Sequence, residues 1–205
     1  MTCVLVVGTP RSGTSCIAGV LHHLGVRMTL NGYPEPHAMN PKGFFEDREM
    51  LHSMMQSCNW ITETSFAGRH RQVAERQANF PLLRKAIADR TSAGVPWGCK
   101  SLLAADGVFR KAYDGPLLIV RAFRSPDAIR ASSIVAMGGL ERRPVAAMVE
   151  RANQCVAELD SPTLTVAFED LTASPEREVG RIAEFVGRPA VREAVEFVDP
   201  SLRHH

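Results

Sequence analysis

The chain has almost no excess charge of either sign. Its 205 residues carry 24 Lys+Arg against 22 Asp+Glu, a formal net charge of +2. That balance gives no bulk electrostatic reason to expect a nucleic-acid or membrane-surface partner, so any anion-binding surface must be local. Long apolar runs are also missing. None approaches the roughly 20 residues of a membrane-spanning helix. The first apolar run begins so close to Met1 that no signal peptide fits before it. Cysteines are few and unpatterned: Cys3, Cys16, Cys58, Cys99 and Cys155 are odd in number and form no C-x-x-C pair. A disulfide framework and a cysteine metal site are thereby disfavoured, and reduced thiols in a cytoplasmic protein are expected. Internal repeats, low-complexity tracts and linkers are absent too. What remains is 45% hydrophobic and 22% charged, the make-up of one globular domain over residues 1–205 with a substantial core.

Strand-like apolar runs occur at residues 2–7, 96–100, 117–123 and 163–168, each bounded by Gly, Pro or polar residues. They read as parallel strands buried on both faces. Between them fall helical patterns at roughly 13–24, 71–90, 126–137, 144–159 and 175–186. Ser174-Pro175-Glu176-Arg177-Glu178 has the form of a helix start, with Ser as N-cap, Pro first and acids in the first turn. Strands alternating with helices predict a three-layer α/β/α fold around a central parallel sheet. Residues 28–42, rich in Pro, Asn and Gly, read as a long functional loop.

The densest signal lies at the start. Val4-Leu5-Val6-Val7 meets Gly8-Thr9-Pro10-Arg11-Ser12-Gly13-Thr14-Ser15. A buried strand here enters a glycine-containing turn and then a helix. The N–H groups opening that helix lack intrahelical partners and carry the positive end of its dipole, so a phosphate docked there satisfies both. The spacing nearly fits G-x-x-x-x-G-K-[ST], but Thr14 stands where the Lys should be and the cation is Arg11, inside the turn. A Mg-nucleotide site also uses an acid at the end of a later strand. The run Leu117-Leu118-Ile119-Val120 leads instead into Arg121-Ala122-Phe123-Arg124. The loop is suited to a phosphate ester bound without a metal.

Arg124 leaves the carboxyl end of a strand, where ligands sit in open α/β sheets, and a guanidinium forks onto phosphate with two charge-assisted hydrogen bonds. Ser132, two turns into the following helix, can present its hydroxyl to the same pocket, with Ser133 as a neighbouring alternative. Arg121 and Arg130 read as structural or solvated.

Pro10-Arg11-Ser12-Gly13-Thr14-Ser15 resembles the 5′-phosphosulfate loop of the sulfotransferases, which move a sulfuryl group from 3′-phosphoadenosine 5′-phosphosulfate (PAPS) to a hydroxyl or amine. Arg124 and, eight positions on, Ser132 resemble the family's 3′-phosphate pair. The resemblance implies that Arg11, Ser12, Gly13, Thr14 and Ser15 hold the 5′-phosphosulfate, that Arg124 and Ser132 hold the 3′-phosphate, and that no metal is needed. Asn40-Pro41-Lys42-Gly43-Phe44-Phe45-Glu46-Asp47 resembles a segment of bacterial sulfotransferase-like proteins, and implies Glu46 as general base. Two other roles are open to Glu46: capping the next helix, for which Asp47 is better placed, or pairing with Arg48 or Lys42. His37 is the alternative base. Lys100, ending Trp97-Gly98-Cys99-Lys100, matches the family's strand-end Lys that assists the leaving group. Here Ser101-Leu102 replaces the usual Asp-Pro, and a solvated strand-end Lys is the alternative.

Phe168-Glu169-Asp170-Leu171 resembles the end of the family's last core strand, with capping and packing favoured for Glu169 over bracing the phosphate loops. Arg203, in a tail that also resembles bacterial relatives, could reach the nucleotide. The expected partner is a small-molecule or carbohydrate acceptor, received by residues 28–42, 49–72 and 138–143. A Mg-dependent kinase or NTPase and a non-catalytic nucleotide-binding module are the competing readings.

Overall fold

In a computed structural model the described residues are 1–30, 40–58, 80–100, 106–136 and 145–202. Four strands, β1 (Cys3–Val7), β2 (Trp97–Lys100), β3 (Leu117–Phe123) and β4 (Thr163–Ala167), form one parallel sheet in the order β2-β1-β3-β4. Cys3 is level with Trp97 on one side and with Leu117 on the other, and Ile119 is level with Thr163. Every residue of β1 is buried, as its unbroken apolar run requires of a central strand covered on both faces.

The two faces of β1 divide the core. Val4 and Val6 join an apolar cluster with α1 (Thr14–His23), α7 (Phe168–Ala173), α8 (Pro175–Phe185) and α9 (Arg192–Phe197). Cys3, Leu5 and Val7 point the other way, into a cluster with α2 (Arg48–Cys58), α3 (Phe80–Thr91), α4 (Asp106–Ala112) and α6 (Val145–Leu159). The expected three layers are therefore present, generated by the period-2 alternation of strand side chains.

The element boundaries depart from the sequence reading in places. Phe168, expected to end the last strand, opens α7. Ser174 precedes α8 with Pro175 in its first turn, but its side chain makes no cap hydrogen bond. The third helix is described from Phe80 to Thr91, and residues 71–79 of the expected span lie outside the described residues. α4 and α9 carry no strong apolar period and were not expected.

Because all strands are parallel, their carboxyl ends share one edge. The connection leaving β1 runs towards β2, whereas the one leaving β3 runs towards β4. The chain thus diverges above β1 and β3, and such a divergence opens a crevice at the carboxyl edge of an α/β sheet. Both phosphate-type motifs lie there: residues 8–13 leave β1, and Arg124 follows β3. Between β3 and Ser132 the chain enters α5 (Pro126–Ala136).

Candidate functional site

The turn after β1 is closed from within. Ser12 donates its backbone N–H (3.1 Å) and its hydroxyl (2.7 Å) to the Thr9 carbonyl. Its hydroxyl therefore helps to close the loop. Gly13 has φ +94°, and a Cβ there would lie 2.4 Å from the Phe168 ring. Left-handed backbone and close approach both select glycine. α1 then begins at Thr14 with no side-chain cap, and its first internal bond runs from Ile17 N–H to the Gly13 carbonyl at 3.1 Å. Its opening N–H groups point out at the crevice end of the sheet.

Arg11 also has positive φ, +71°, an uncommon state for a side-chain-bearing residue and one that persists only where its surroundings fix it. Those surroundings are the second motif. Arg124 donates to the Arg11 carbonyl at 3.2 Å, and Arg11 Nε donates to Ser132 Oγ at 3.1 Å. Residues more than a hundred positions apart thus form one arginine-rich cluster over β1 and β3. Arg124 is buried at 5% exposure, pairs with Glu169 Oε1 at 3.2 Å and lies 4.9 Å from the centre of the Phe168 ring. Glu169 is therefore a brace for Arg124, and the capping role favoured from sequence gives way. Ser133 is buried beside Ser132. Arg121 bonds Asn153 on α6 and Arg130 is exposed, the structural and solvated roles expected of them.

A second cluster lies at the end of β2. Lys100 Nζ donates to Ser15 Oγ (3.0 Å), the Phe44 carbonyl (2.8 Å) and Glu46 Oε1 (2.9 Å). Three acceptors match the three N–H bonds of its ammonium. Burial pushes the Lys100 pKa down, against the opposing pull of Glu46. Glu46 remains partly exposed, at 37%, and pairs with Lys100 rather than with Lys42 or Arg48. Asp47 is the cap, its Oδ1 accepting from Met50 N–H at 3.0 Å.

Sequence reasoning missed Arg90. It is 2% exposed and grips Asp47 with Nε to Oδ2 at 2.8 Å and Nη2 to Oδ1 at 2.5 Å, and reaches Glu49 at 3.2 Å. It ends a helical pattern that gave no reason to look inward. His37, Ser101, Arg203 and residues 31–39, 59–72 and 138–143 of the expected acceptor pocket lie outside the described residues. Burial pushes the Cys16 thiol up to about 12. Among the described residues no group of His, Cys, Asp and Glu could hold a metal ion, and no helix is long and apolar enough to cross a membrane.

Fold and site define an α/β protein whose crevice gathers an uncapped helix start, three cations and two carboxylates. Solved structures carry this class further. The chain is similar to the sulfotransferase domain of the Synechococcus PCC 7002 olefin synthase (TM-score 0.58, 17% identity, 99% of this chain and 86% of that one). It is also similar to sulfotransferase STF1 from Mycobacterium tuberculosis H37Rv (0.51, 18%, 96% and 70%) and to the sulfotransferase domain of the curacin biosynthetic pathway (0.50, 15%, 97% and 77%). The fold is sulfotransferase-like. No protein-family model and no curated protein matches the chain.

Proposed function

We propose that the chain is a sulfotransferase that moves a sulfuryl group from PAPS to a hydroxyl, or an amine, of a small-molecule or carbohydrate acceptor. The observation that carries this reading is the joining of two clusters through one short helix start. Ser15, in the first turn of α1, bonds Lys100, while Arg11, just before that helix, bonds Ser132. A donor with a 5′-phosphosulfate and a 3′-phosphate has two anionic ends, and the crevice offers cations at two places to match.

In this reading Arg11, Ser12, Gly13, Thr14 and Ser15 hold the phosphosulfate, with the N–H groups that open α1 and the Arg11 guanidinium facing it. Arg124 and Ser132 hold the 3′-phosphate. The acceptor oxygen attacks sulfur in line as the bond from sulfur to the phosphate oxygen breaks. Glu46 takes the acceptor's proton. Lys100 and Arg11 stabilise the charge that collects on the departing 3′-phosphoadenosine 5′-phosphate. These are the tasks of positioning and charge stabilisation that dominate group transfer between oxygens. Lys100 suits the bridging position, since it already lies between Ser15 at the helix start and Glu46 at the acceptor side.

The test is thermal unfolding with 3′-phosphoadenosine 5′-phosphate, set against ADP and ATP with and without Mg²⁺. Ligand at a hundred times its dissociation constant stabilises the native state by about 2.7 kcal/mol, a rise of roughly 5–10 °C for a domain of this size. A rise confined to the 3′-phosphorylated nucleotide and indifferent to Mg²⁺ is expected. A rise only with Mg-ATP overturns the proposal in favour of a kinase or NTPase.

A further inference from the structure

The segment that carries Glu46 is not held by its own local structure alone. Phe45, immediately before it, has φ +50°, a state that a bulky side chain enters only under constraint from its neighbours. The Phe45 ring is buried at 5% exposure, meets the Phe197 ring edge-on at 5.4 Å and lies 5.9 Å from His22. Lys42, three residues earlier, donates to the Phe197 carbonyl at 2.6 Å and lies 5.0 Å from the centre of its ring. On its other side the same ring fills the space left by Gly19 of α1, where a Cβ would come within 2.1 Å of Phe197 Cε1. Phe197 is thus wedged between the helix that opens the crevice and the segment bearing Glu46.

We propose that Phe197 is a positioning residue for Glu46 and for the Phe44 carbonyl. Its ring holds Phe45 in the left-handed conformation, and that conformation turns the groups on either side of Phe45 towards Lys100. Both groups bond Lys100, at 2.8 and 2.9 Å. Without the ring, Phe45 relaxes to ordinary backbone and Lys100 loses two of its three acceptors. The packing argument stands on the structure alone. Its catalytic consequence rests on the sulfotransferase reading, in which Glu46 takes the acceptor's proton.

The test reads Lys100 directly. Wild type, Phe197→Ala, Phe197→Leu and Gly19→Ala are acetylated with limiting acetic anhydride, and each lysine is quantified by mass spectrometry. Lys85, paired with Asp89 on the exposed face of α3, is the internal reference. Phe197→Ala is expected to raise Lys100 labelling relative to Lys85 by at least about tenfold, since even one of the two lost charge-assisted hydrogen bonds is worth that much. Phe197→Leu, which keeps bulk in the socket, is expected to restore most of the protection. Gly19→Ala, which displaces the ring from its opposite side, is expected to mimic Phe197→Ala and serves if that variant does not fold. A cooperatively melting Phe197→Ala or Gly19→Ala protein whose Lys100 labels like wild type overturns the proposal. In parallel, the wild-type protein is titrated with 3′-phosphoadenosine 5′-phosphate. A wild-type protein indifferent to that nucleotide overturns the sulfotransferase reading and leaves the positioning to be decided by the labelling.

Discussion

Arg124 meets three groups at once: the Glu169 carboxylate, the Phe168 ring and the Arg11 carbonyl. A buried guanidinium held this way presents a fixed fork rather than a swinging charge. Arg124→Ala is therefore expected to weaken 3′-phosphoadenosine 5′-phosphate by about 10- to 100-fold, the effect of one or two charge-assisted hydrogen bonds. Adenosine 5′-phosphosulfate, which lacks the 3′-phosphate, should bind the variant as it binds wild type. Equal losses for both ligands, measured by calorimetry, would refute the 3′-phosphate assignment. Glu46→Gln keeps the shape and removes the proton acceptor. It should leave nucleotide affinity near normal and abolish sulfuryl transfer to an acceptor, measured by release of 3′-phosphoadenosine 5′-phosphate. Retained turnover would place the base elsewhere. Cys16 supplies a contrasting residue-scale expectation. With its thiol near 12, it should react with iodoacetamide at pH 8 about a thousandfold more slowly than a free thiol.

At the scale of elements, α2 and α3 are joined by charge as well as by packing. Asp47 caps α2 and is gripped by Arg90 from α3, with side-chain exposures of 1% and 2%. Removing one partner leaves an uncompensated buried charge, which costs about 3–5 kcal/mol, whereas an apolar pair of similar volume is often neutral. Arg90→Met should therefore lower Tm by roughly 10 °C. A fall of under 2 °C would show that Asp47 finds water or another partner. α1 plays the opposite part: its N-terminus is left without a side-chain cap, and the sequence places Gly13 there where Ser or Asp would close it. The strand-turn-helix unit was legible from residues 4–15 because turn chemistry is local. The Asp47–Arg90 pair was not, because nothing within either helix reports which partner faces it.

At the scale of the whole molecule, β1 is the centre of both cores and of the site. It is hydrogen-bonded on both sides and covered on both faces. Its amides are expected to exchange with solvent only through global opening, and so to be the slowest in the chain alongside those of β3. β4 amides, on a half-exposed edge strand, should exchange faster. Exchange from β1 as fast as from β4, followed by mass spectrometry, would contradict a sheet built around the first strand. The parallel order also explains how cations from residues 11, 100 and 124 come together. Each follows or ends a strand, and parallel strands end at one edge.

The sequence by itself determined the layer architecture and the residue types at each strand end. Apolar runs, helix periods and the glycine-arginine turn are local patterns, and local patterns are read by counting. It also singled out Arg11, Arg124 and Ser132 by type and spacing, and Glu46 and Lys100 through the family resemblance. Tertiary structure alone decided which of these touch: that Glu46 pairs with Lys100 instead of Lys42 or Arg48, that Ser12 turns inward, and that Glu169 braces Arg124. It alone brought Phe197 against Phe45, and Arg90 against Asp47. Such contacts join residues up to 152 positions apart, and their partners are chosen by the packing of whole elements, which no window of neighbouring residues encodes.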